Sequence, residues 1–196
     1  MVKKLVGHTV LWLLGWHVEG EPPAHPKCIV VGHPHTSSWD FPLFVMTMWV
    51  LGVRMRWMGK QSLFTGPMGG LFRALGGLPV DRSGGKNTVQ AVADLFEEHE
   101  ALMVGIAPSG TRKAGEHWKS GFYHIALAAK VPLAMGSIDF KKRAGCFLGT
   151  VHLTGDMKTD MDAIRQGYAG VEGRNPERQI PIRLAEEMDA HSPQNK

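Results

Sequence analysis

A short polar stretch between two apolar runs constrains the fold of this chain more than any other feature. Residues 28–31 are an uninterrupted apolar run of strand length, and residues 41–51 are almost wholly apolar over a helical length. The sequence GHPHTSSWD occupies positions 32–40 between them. We therefore predict a strand, a loop that carries His35, and a helix with Asp40 in its first turn. Open α/β sheets usually bind their ligands at such a place.

Strand-like and helix-like runs alternate through most of the chain. A continuous apolar run at residues 101–107 predicts a buried strand, and residues 132–140 are predicted to form another. Residues 87–99 and 118–129 have apolar residues at helical spacing, which predicts helices. Further strands are predicted at residues 54–58, 76–82 and 145–153, and further helices within residues 63–75 and 160–169. We expect an α/β fold of one domain, with a mixed or mostly parallel sheet flanked by helices.

The N-terminal residues predict an amphipathic helix at a membrane interface. Lys3 and Lys4 precede an apolar stretch rich in leucine and tryptophan, which is shorter than a membrane-spanning helix needs and lacks a signal-peptide cleavage site. The alternative is an ordinary helix packed on the domain. The predicted organisation is an interfacial helix in residues 1–20, the main domain in residues 21–185 and a polar tail in residues 186–196.

The charge of the chain favours an anionic partner. Its formal net charge is +4 and its pI is about 9.2, which suits a phospholipid surface or a phosphate-bearing substrate. No dense run of lysine and arginine with interleaved aromatic residues is present, so nucleic acid is not expected as a partner.

The two cysteines, Cys28 and Cys146, lie in apolar contexts. Their spacing matches neither a metal site nor a redox motif. We expect buried free thiols in a reducing compartment, and the sequence leaves a disulfide open as the alternative.

His35 and Asp40 are the residues of the polar stretch that can carry chemistry. A neutral imidazole takes a proton from a hydroxyl near pH 7, and a carboxylate on its other ring nitrogen fixes the tautomer and stabilises the imidazolium. No serine or cysteine nucleophile motif accompanies the pair. The simplest prediction is that His35 deprotonates a substrate hydroxyl, which then attacks an activated carbonyl directly.

Two other interpretations of these residues stay open. Ser37 and Asp40 resemble a capping box, and an aspartate near a helix N-terminus is favourable for the macrodipole alone. His33 and His35 have the spacing of metal ligands, and together with Asp40 they would suit a metal-dependent hydrolase. No further cluster of histidines and carboxylates accompanies them in the sequence.

Four stretches together resemble the glycerolipid acyltransferase family, which includes lysophosphatidate acyltransferases. In the family's order they are His-x4-Asp at His35 and Asp40, a Gly-x-Pro-x-x-Arg-like run at residues 77–82, Ser-Gly-Thr-Arg at residues 109–112 after an apolar strand, and an apolar strand that opens with Val-Pro at residues 131–135. The resemblance covers roughly residues 27–140.

The resemblance implies transfer of a fatty acyl group from acyl-CoA or acyl carrier protein to a lysophospholipid hydroxyl, with 1-acylglycerol 3-phosphate as the leading acceptor. His35 would be the general base and Asp40 its orienting carboxylate. No metal or prosthetic group is implied, because the thioester is already activated, and the protein would act peripherally or monotopically at the cytoplasmic face of a membrane. The residues expected to bind the acceptor are Lys60, Arg82, Gly110, Thr111 and Arg112.

The third motif departs from the family pattern at Ser109, where the family usually has glutamate. A hydroxyl forms hydrogen bonds but supplies no negative charge, which leaves open another lysolipid as the acceptor. A lipid-binding module that kept the fold without activity is a further alternative. For Arg82 and Arg112, surface solvation or ion pairs with Asp81 and Glu116 are the structural alternative.

Overall fold

The computed structural model describes residues 1–80 and 86–189. Within this part, the elements follow one another as α1 (Val2–Leu13), β1 (His17–Glu19), β2 (Lys27–Gly32), α2 (Asp40–Leu51), β3 (Arg56–Lys60), α3 (Ser62–Thr65), α4 (Gly69–Ala74), β4 (Gly77–Val80), α5 (Lys86–Glu98), β5 (Leu102–Ile106), α6 (Gly121–Ala129), β6 (Leu133–Asp139), β7 (Ala144–Val151), α7 (Met157–Gly167), a 3₁₀ turn (Pro176–Arg178) and α8 (Ala185–Asp189).

The strand predicted at residues 28–31 forms the middle of the sheet. β2 lies between β5 and β6 and runs parallel to both. The full order among the described residues is β1-β7-β6-β2-β5-β3-β4, in which all neighbouring pairs are parallel except the antiparallel pair of β6 and β7. The expectation of a mixed, mostly parallel sheet is confirmed.

Alternation along β2 builds a core on each face of the sheet. Ile29 and Val31 point to the layer formed by α5, α6 and α7, where they meet Phe96, Phe122 and Ile164. Cys28 and Val30 point to the opposite layer, where α2 contributes Met48. All four side chains of this run are buried, which explains why the strand is apolar without interruption.

Helix α2 is apolar on every side because it is covered on two sides. One side faces the sheet, and the other packs against α1, where Leu11 joins Leu43 and Val50 in a separate cluster. The close approach requires glycine at position 7, since a Cβ there would lie 2.8 Å from the carbonyl oxygen of Met46. Gly52 ends the helix in the left-handed conformation, with φ of 70°.

Most predicted segments differ from the structure by one to three residues at their ends, and the N-terminal segment, the second strand and the polar tail differ in ways that matter for the fold. The N-terminal segment, predicted as one helix over residues 1–20, is a helix that ends at Leu13, followed by β1, whose three residues pair with β7 at the edge of the sheet. The second strand lies at Arg56–Lys60 rather than at residues 54–58, because its register is set by pairing with β4 and β5. The predicted polar tail begins within α8, and residues 190–196 lie outside the described residues.

The exposed side of α1 carries large apolar side chains, which include Leu5, Trp12 and Leu13. Across residues 1–80 and 86–189, each helix is either too short or too polar to cross a membrane. Cys28 and Cys146 are free and buried, as the sequence predicts.

Candidate active site

His35 and Asp40 lie together just beyond the carboxyl end of β2. Nδ1 of His35 is 3.1 Å from Oδ2 of Asp40. The carboxylate is buried, whereas the imidazole is partly exposed. The pairing is local in sequence, since a single loop-to-helix corner brings the two side chains to the same side. The ring nitrogen Nε2 therefore remains for a substrate.

The backbone of the loop holds the Asp40 carboxylate in place. Its Oδ2 accepts hydrogen bonds from the amides of Thr36 and Ser37, both at 2.8 Å, in addition to its contact with His35. Asp40 is also the first residue of α2, where the helix dipole favours a negative charge. The carboxylate thus holds the loop and pairs with His35 at the same time, whereas the N-cap residue Trp39 forms no side-chain capping hydrogen bond. The amide of Trp39 is satisfied separately by the hydroxyl of Ser37.

The pair lies at one end of a groove of about 890 Å³ between α2 and the sheet. Its walls are mainly apolar, and one of them is an aromatic cluster of Phe41, Trp57 and Phe72. The groove extends under α2 as far as Ile138 and Cys146. A cavity of this size and lining fits a ligand with a long apolar part.

The end of the groove that holds the pair is polar, and five side chains define what we call the polar end: His35, Ser38, Lys60, Thr111 and Arg112. Nη1 of Arg112 donates a hydrogen bond of 2.5 Å to Oγ of Ser38, so the third motif contacts the first. Lys60 is the last residue of β3 and is exposed. The structure thus brings these predicted residues to one place, whereas Arg82 lies outside the described residues.

The turn after β5 explains the residues of the third motif. Gly110 lines the groove and has φ of 63°, a conformation that favours glycine. Ser109 is buried, and its hydroxyl donates to the carbonyl oxygen of Thr111 at 3.0 Å. Ser109 therefore stabilises the turn and does not line the groove. The ion pair between Arg112 and Glu116 that was the structural alternative does not form between these two described residues: Arg112 donates to Ser38, and the backbone carbonyl of Glu116 accepts from Arg183.

His33 faces away from this pair. Its ring is buried against Trp118 and Tyr168, with ring centroids at 5.0 and 5.2 Å, on the opposite side of the sheet from α2. Burial lowers the pKa of His33 to about 4. Among the residues that the structure describes, no three His, Cys, Asp or Glu side chains lie close enough to hold a metal ion. His33, His35 and Asp40 therefore do not form the ligand set that a metal-dependent hydrolase would need.

A segment far along the chain also reaches the loop. Asn175 and Gln179 contact Thr36 and His33 respectively. These contacts were not predicted, because their residues follow α7 and carry no local pattern that indicates a partner near position 36.

The fold and the site define an α/β protein with a histidine–carboxylate pair at the polar end of an apolar groove. The sequence model of the acyltransferase family matches residues 16–135, which is more than half of the chain, so the chain belongs to this family. The predicted family resemblance is confirmed.

A solved structure with a similar fold is the crystal structure of the 1-acyl-sn-glycerophosphate (LPA) acyltransferase PlsC from Thermotoga maritima. The TM-score is 0.57 and the sequence identity 19%, over 84% of this chain and 76% of that one. At this identity the similarity shows a shared fold. The curated protein sequences contain no match to this chain.

Proposed function

We propose that this protein transfers a fatty acyl group from a thioester donor, acyl-CoA or acyl carrier protein, to the free hydroxyl of 1-acylglycerol 3-phosphate. The observation that carries the proposal is the position of His35, which has Asp40 on Nδ1, an apolar groove on one side and Arg112 at the same polar end. The family match and the fold shared with an LPA acyltransferase support this reaction class.

His35 acts as the general base in this proposal. Its Nε2 takes the proton of the acceptor hydroxyl while the hydroxyl oxygen attacks the thioester carbonyl carbon. The carbon–sulfur bond then breaks, and the departing thiolate takes the proton from the imidazolium. Asp40 stabilises the imidazolium through its contact with Nδ1, and the amides of Thr36 and Ser37 keep the carboxylate in that position.

Arg112 binds the phosphate of the acceptor. A guanidinium can donate two parallel hydrogen bonds to a phosphate, and Arg112 is exposed at the polar end. Lys60 adds positive charge at the same polar end, while Gly110 and Thr111 shape the turn that precedes Arg112. Arg82 joins this set by its place in the second motif.

The apolar groove holds the acyl chain of the donor. Its volume of about 890 Å³ lies within the roughly 300–1,000 Å³ of typical ligand sites. Both possible donors are anionic, which agrees with the net charge of +4. No metal ion or prosthetic group enters the reaction, because the thioester supplies the driving force.

The protein binds peripherally or monotopically at the cytoplasmic face of a membrane through α1. The exposed residues Leu5, Trp12 and Leu13 would enter the interface, and Lys3 and Lys4 would contact anionic headgroups. This arrangement would give a lysolipid short access to the groove.

A different lysolipid is the second candidate acceptor, and Ser109 is the observation that favours it. Its hydroxyl is used within the turn, so the negative charge that glutamate gives this motif in the family is missing here. An acceptor whose headgroup differs from a simple phosphate, such as an amino-acid-containing lysolipid, is compatible with that change.

A thiol-release assay with purified protein tests the proposal. It offers palmitoyl-CoA or acyl carrier protein thioester with lysophosphatidate, glycerol 3-phosphate, an amino-acid lysolipid or no acceptor, with His35→Ala as the control. We expect release that depends on lysophosphatidate and is lost in His35→Ala. Release without any acceptor would indicate a thioesterase, and lysolipid binding without release would indicate a binding module.

A further inference from the structure

The loop that carries His35 is held by a segment that the family match does not include. Residues 171–179, here called the brace segment, follow α7 and lie beyond the matched residues 16–135. The segment is anchored beside the end of β6, since the amide of Phe140, which follows this strand, donates to the carbonyl oxygen of Glu172 at 2.9 Å.

Asn175 contacts the peptide group that also holds Asp40. Its Nδ2 donates to the carbonyl oxygen of Thr36 at 2.9 Å, and its backbone amide donates to Oγ1 of Thr36 at 3.2 Å. The amide of the same peptide unit belongs to Ser37 and donates to Oδ2 of Asp40 at 2.8 Å. Because a peptide group is planar with its carbonyl and amide on opposite sides, Asn175 and Asp40 fix the two ends of one rigid unit.

The brace segment fits closely against the loop. A Cβ at Gly173 would lie 2.6 Å from Oγ1 of Thr36, so only glycine allows this approach without a shift. Gln179 closes the segment on itself, because it accepts from the amide of Gly173 and donates to the carbonyl oxygen of Val171. Its Nε2 also lies 3.3 Å from Nε2 of His33. The loop is therefore contacted at His33 and Thr36, on both sides of His35 in sequence.

We propose that Asn175 is a positioning residue for acyl transfer. It fixes the peptide between Thr36 and Ser37, and through it the orientation of the Asp40 carboxylate towards Nδ1 of His35. The hydrogen bonds on the two ends of the peptide also polarise each other, which strengthens the hold on the carboxylate. This inference rests on the proposed roles of His35 and Asp40.

The main test is Asn175→Asp, which keeps the shape of the side chain but replaces the donor to Thr36 with an acceptor. We expect kcat to fall about tenfold to a hundredfold, since small misplacements of a reacting group have such effects. The KM for the acceptor should change little, because the polar end is not altered. The control is Arg178→Ala in the same segment, where the exposed side chain pairs with Glu177.

Amide hydrogen exchange, measured by NMR, distinguishes a local change in the loop from a general loss of stability. In Asn175→Asp, the amides of Thr36 and Ser37 should exchange faster, while those of Val30 and Val31 in β2 should keep the wild-type rate. In Gly173→Ala, the new Cβ pushes the brace segment away from Thr36. This variant should therefore resemble Asn175→Asp, with faster exchange at Thr36 and Ser37 and a lower kcat.

Each variant is assayed at a temperature at which circular dichroism shows it folded. A wild-type kcat in Asn175→Asp, or unchanged exchange at Thr36 and Ser37, would overturn the positioning role. Equal acceleration of exchange in β2 would also overturn it, because Asn175 would then hold the whole fold. If His35→Ala keeps its turnover, the proposed function fails. If Asn175→Asp keeps its turnover while His35→Ala loses it, the positioning role fails and the proposed function stands.

Discussion

Arg112 and Ser38 lie 74 positions apart and are joined by a hydrogen bond from the guanidinium to the hydroxyl. Ser38 belongs to the loop after β2, and Arg112 belongs to the loop after β5, which is the parallel neighbour of β2. The contact therefore brings a cation to the same end of the sheet as His35.

Replacement of His35 should remove turnover and leave the fold intact. General bases contribute about a hundredfold to ten-thousandfold to the rate, so His35→Ala should lower kcat by that order. Asp40→Asn should also lower kcat, because the imidazolium loses its charged partner. Steady-state kinetics measures the effect, and the exposed His152→Ala is the matched control. Turnover near the wild-type rate in His35→Ala would contradict the base role.

Replacement of Arg112 should act on acceptor binding. Hydrogen bonds to charged groups contribute about 1.5–3 kcal/mol, so Arg112→Ala should raise the acceptor KM roughly tenfold to a hundredfold and lower kcat less. Arg112→Lys should give an intermediate KM, since it keeps the charge and loses the planar fork. Lys113→Ala removes an adjacent exposed cation and is the control. An unchanged KM in Arg112→Ala would exclude the phosphate contact.

The buried His33 should make the protein less stable in acid. Its pKa is lowered by burial from 6.5 to about 4, so between these values the unfolded chain binds a proton that the folded protein does not. The free energy of unfolding should therefore fall from pH 6.5 towards pH 4, by about 3 kcal/mol from this group.

His33→Phe, which keeps the ring contacts with Trp118 and Tyr168, should show a flatter pH dependence than the wild type. Urea unfolding at pH 7 and pH 5 measures the difference. If the free energy of unfolding fell by the same amount from pH 7 to pH 5 in both proteins, His33 would not titrate as its burial requires.

Negative charge introduced by mutation on the exposed side of α1 should weaken membrane binding. Leu5 and Trp12 are 69% and 76% exposed, so Leu5→Glu and Trp12→Glu should reduce sedimentation with anionic vesicles without unfolding the protein. Gln166→Glu on the exposed side of α7 adds the same charge and should have no effect. Deletion of the whole segment is a poorer test, because Leu11 is buried and β1 pairs with β7. Unchanged sedimentation in both α1 variants would exclude the interfacial role.

The two thiols should resist labelling in the folded protein. Burial raises the pKa of Cys28 to about 12 and contributes most to raising that of Cys146 to about 11. A maleimide at neutral pH should therefore react slowly with native protein and label both thiols after denaturation, as mass spectrometry would show. Rapid labelling of the native protein would indicate that the sheet opens around these residues.

Local sequence patterns were sufficient for the central unit of the fold. The apolar run of β2 and the long apolar run of α2 each require burial, and the corner between them leaves few positions for His35 and Asp40. Their contact could be predicted because only one turn of chain separates them. The register of β3 and the presence of β1 could not, because strands this short depend on the partner strands beside them.

The sequence by itself determined the α/β class, the family and the pair formed by His35 and Asp40. Only the tertiary structure decided that Arg112 contacts Ser38, that Ser109 is used inside its turn, and that Asn175 contacts Thr36. The physical reason is the range of the interactions. Periodicity and capping act over a few residues, whereas the groove and the contacts around it exist only once the sheet has brought distant loops to one edge and helices have packed on both faces.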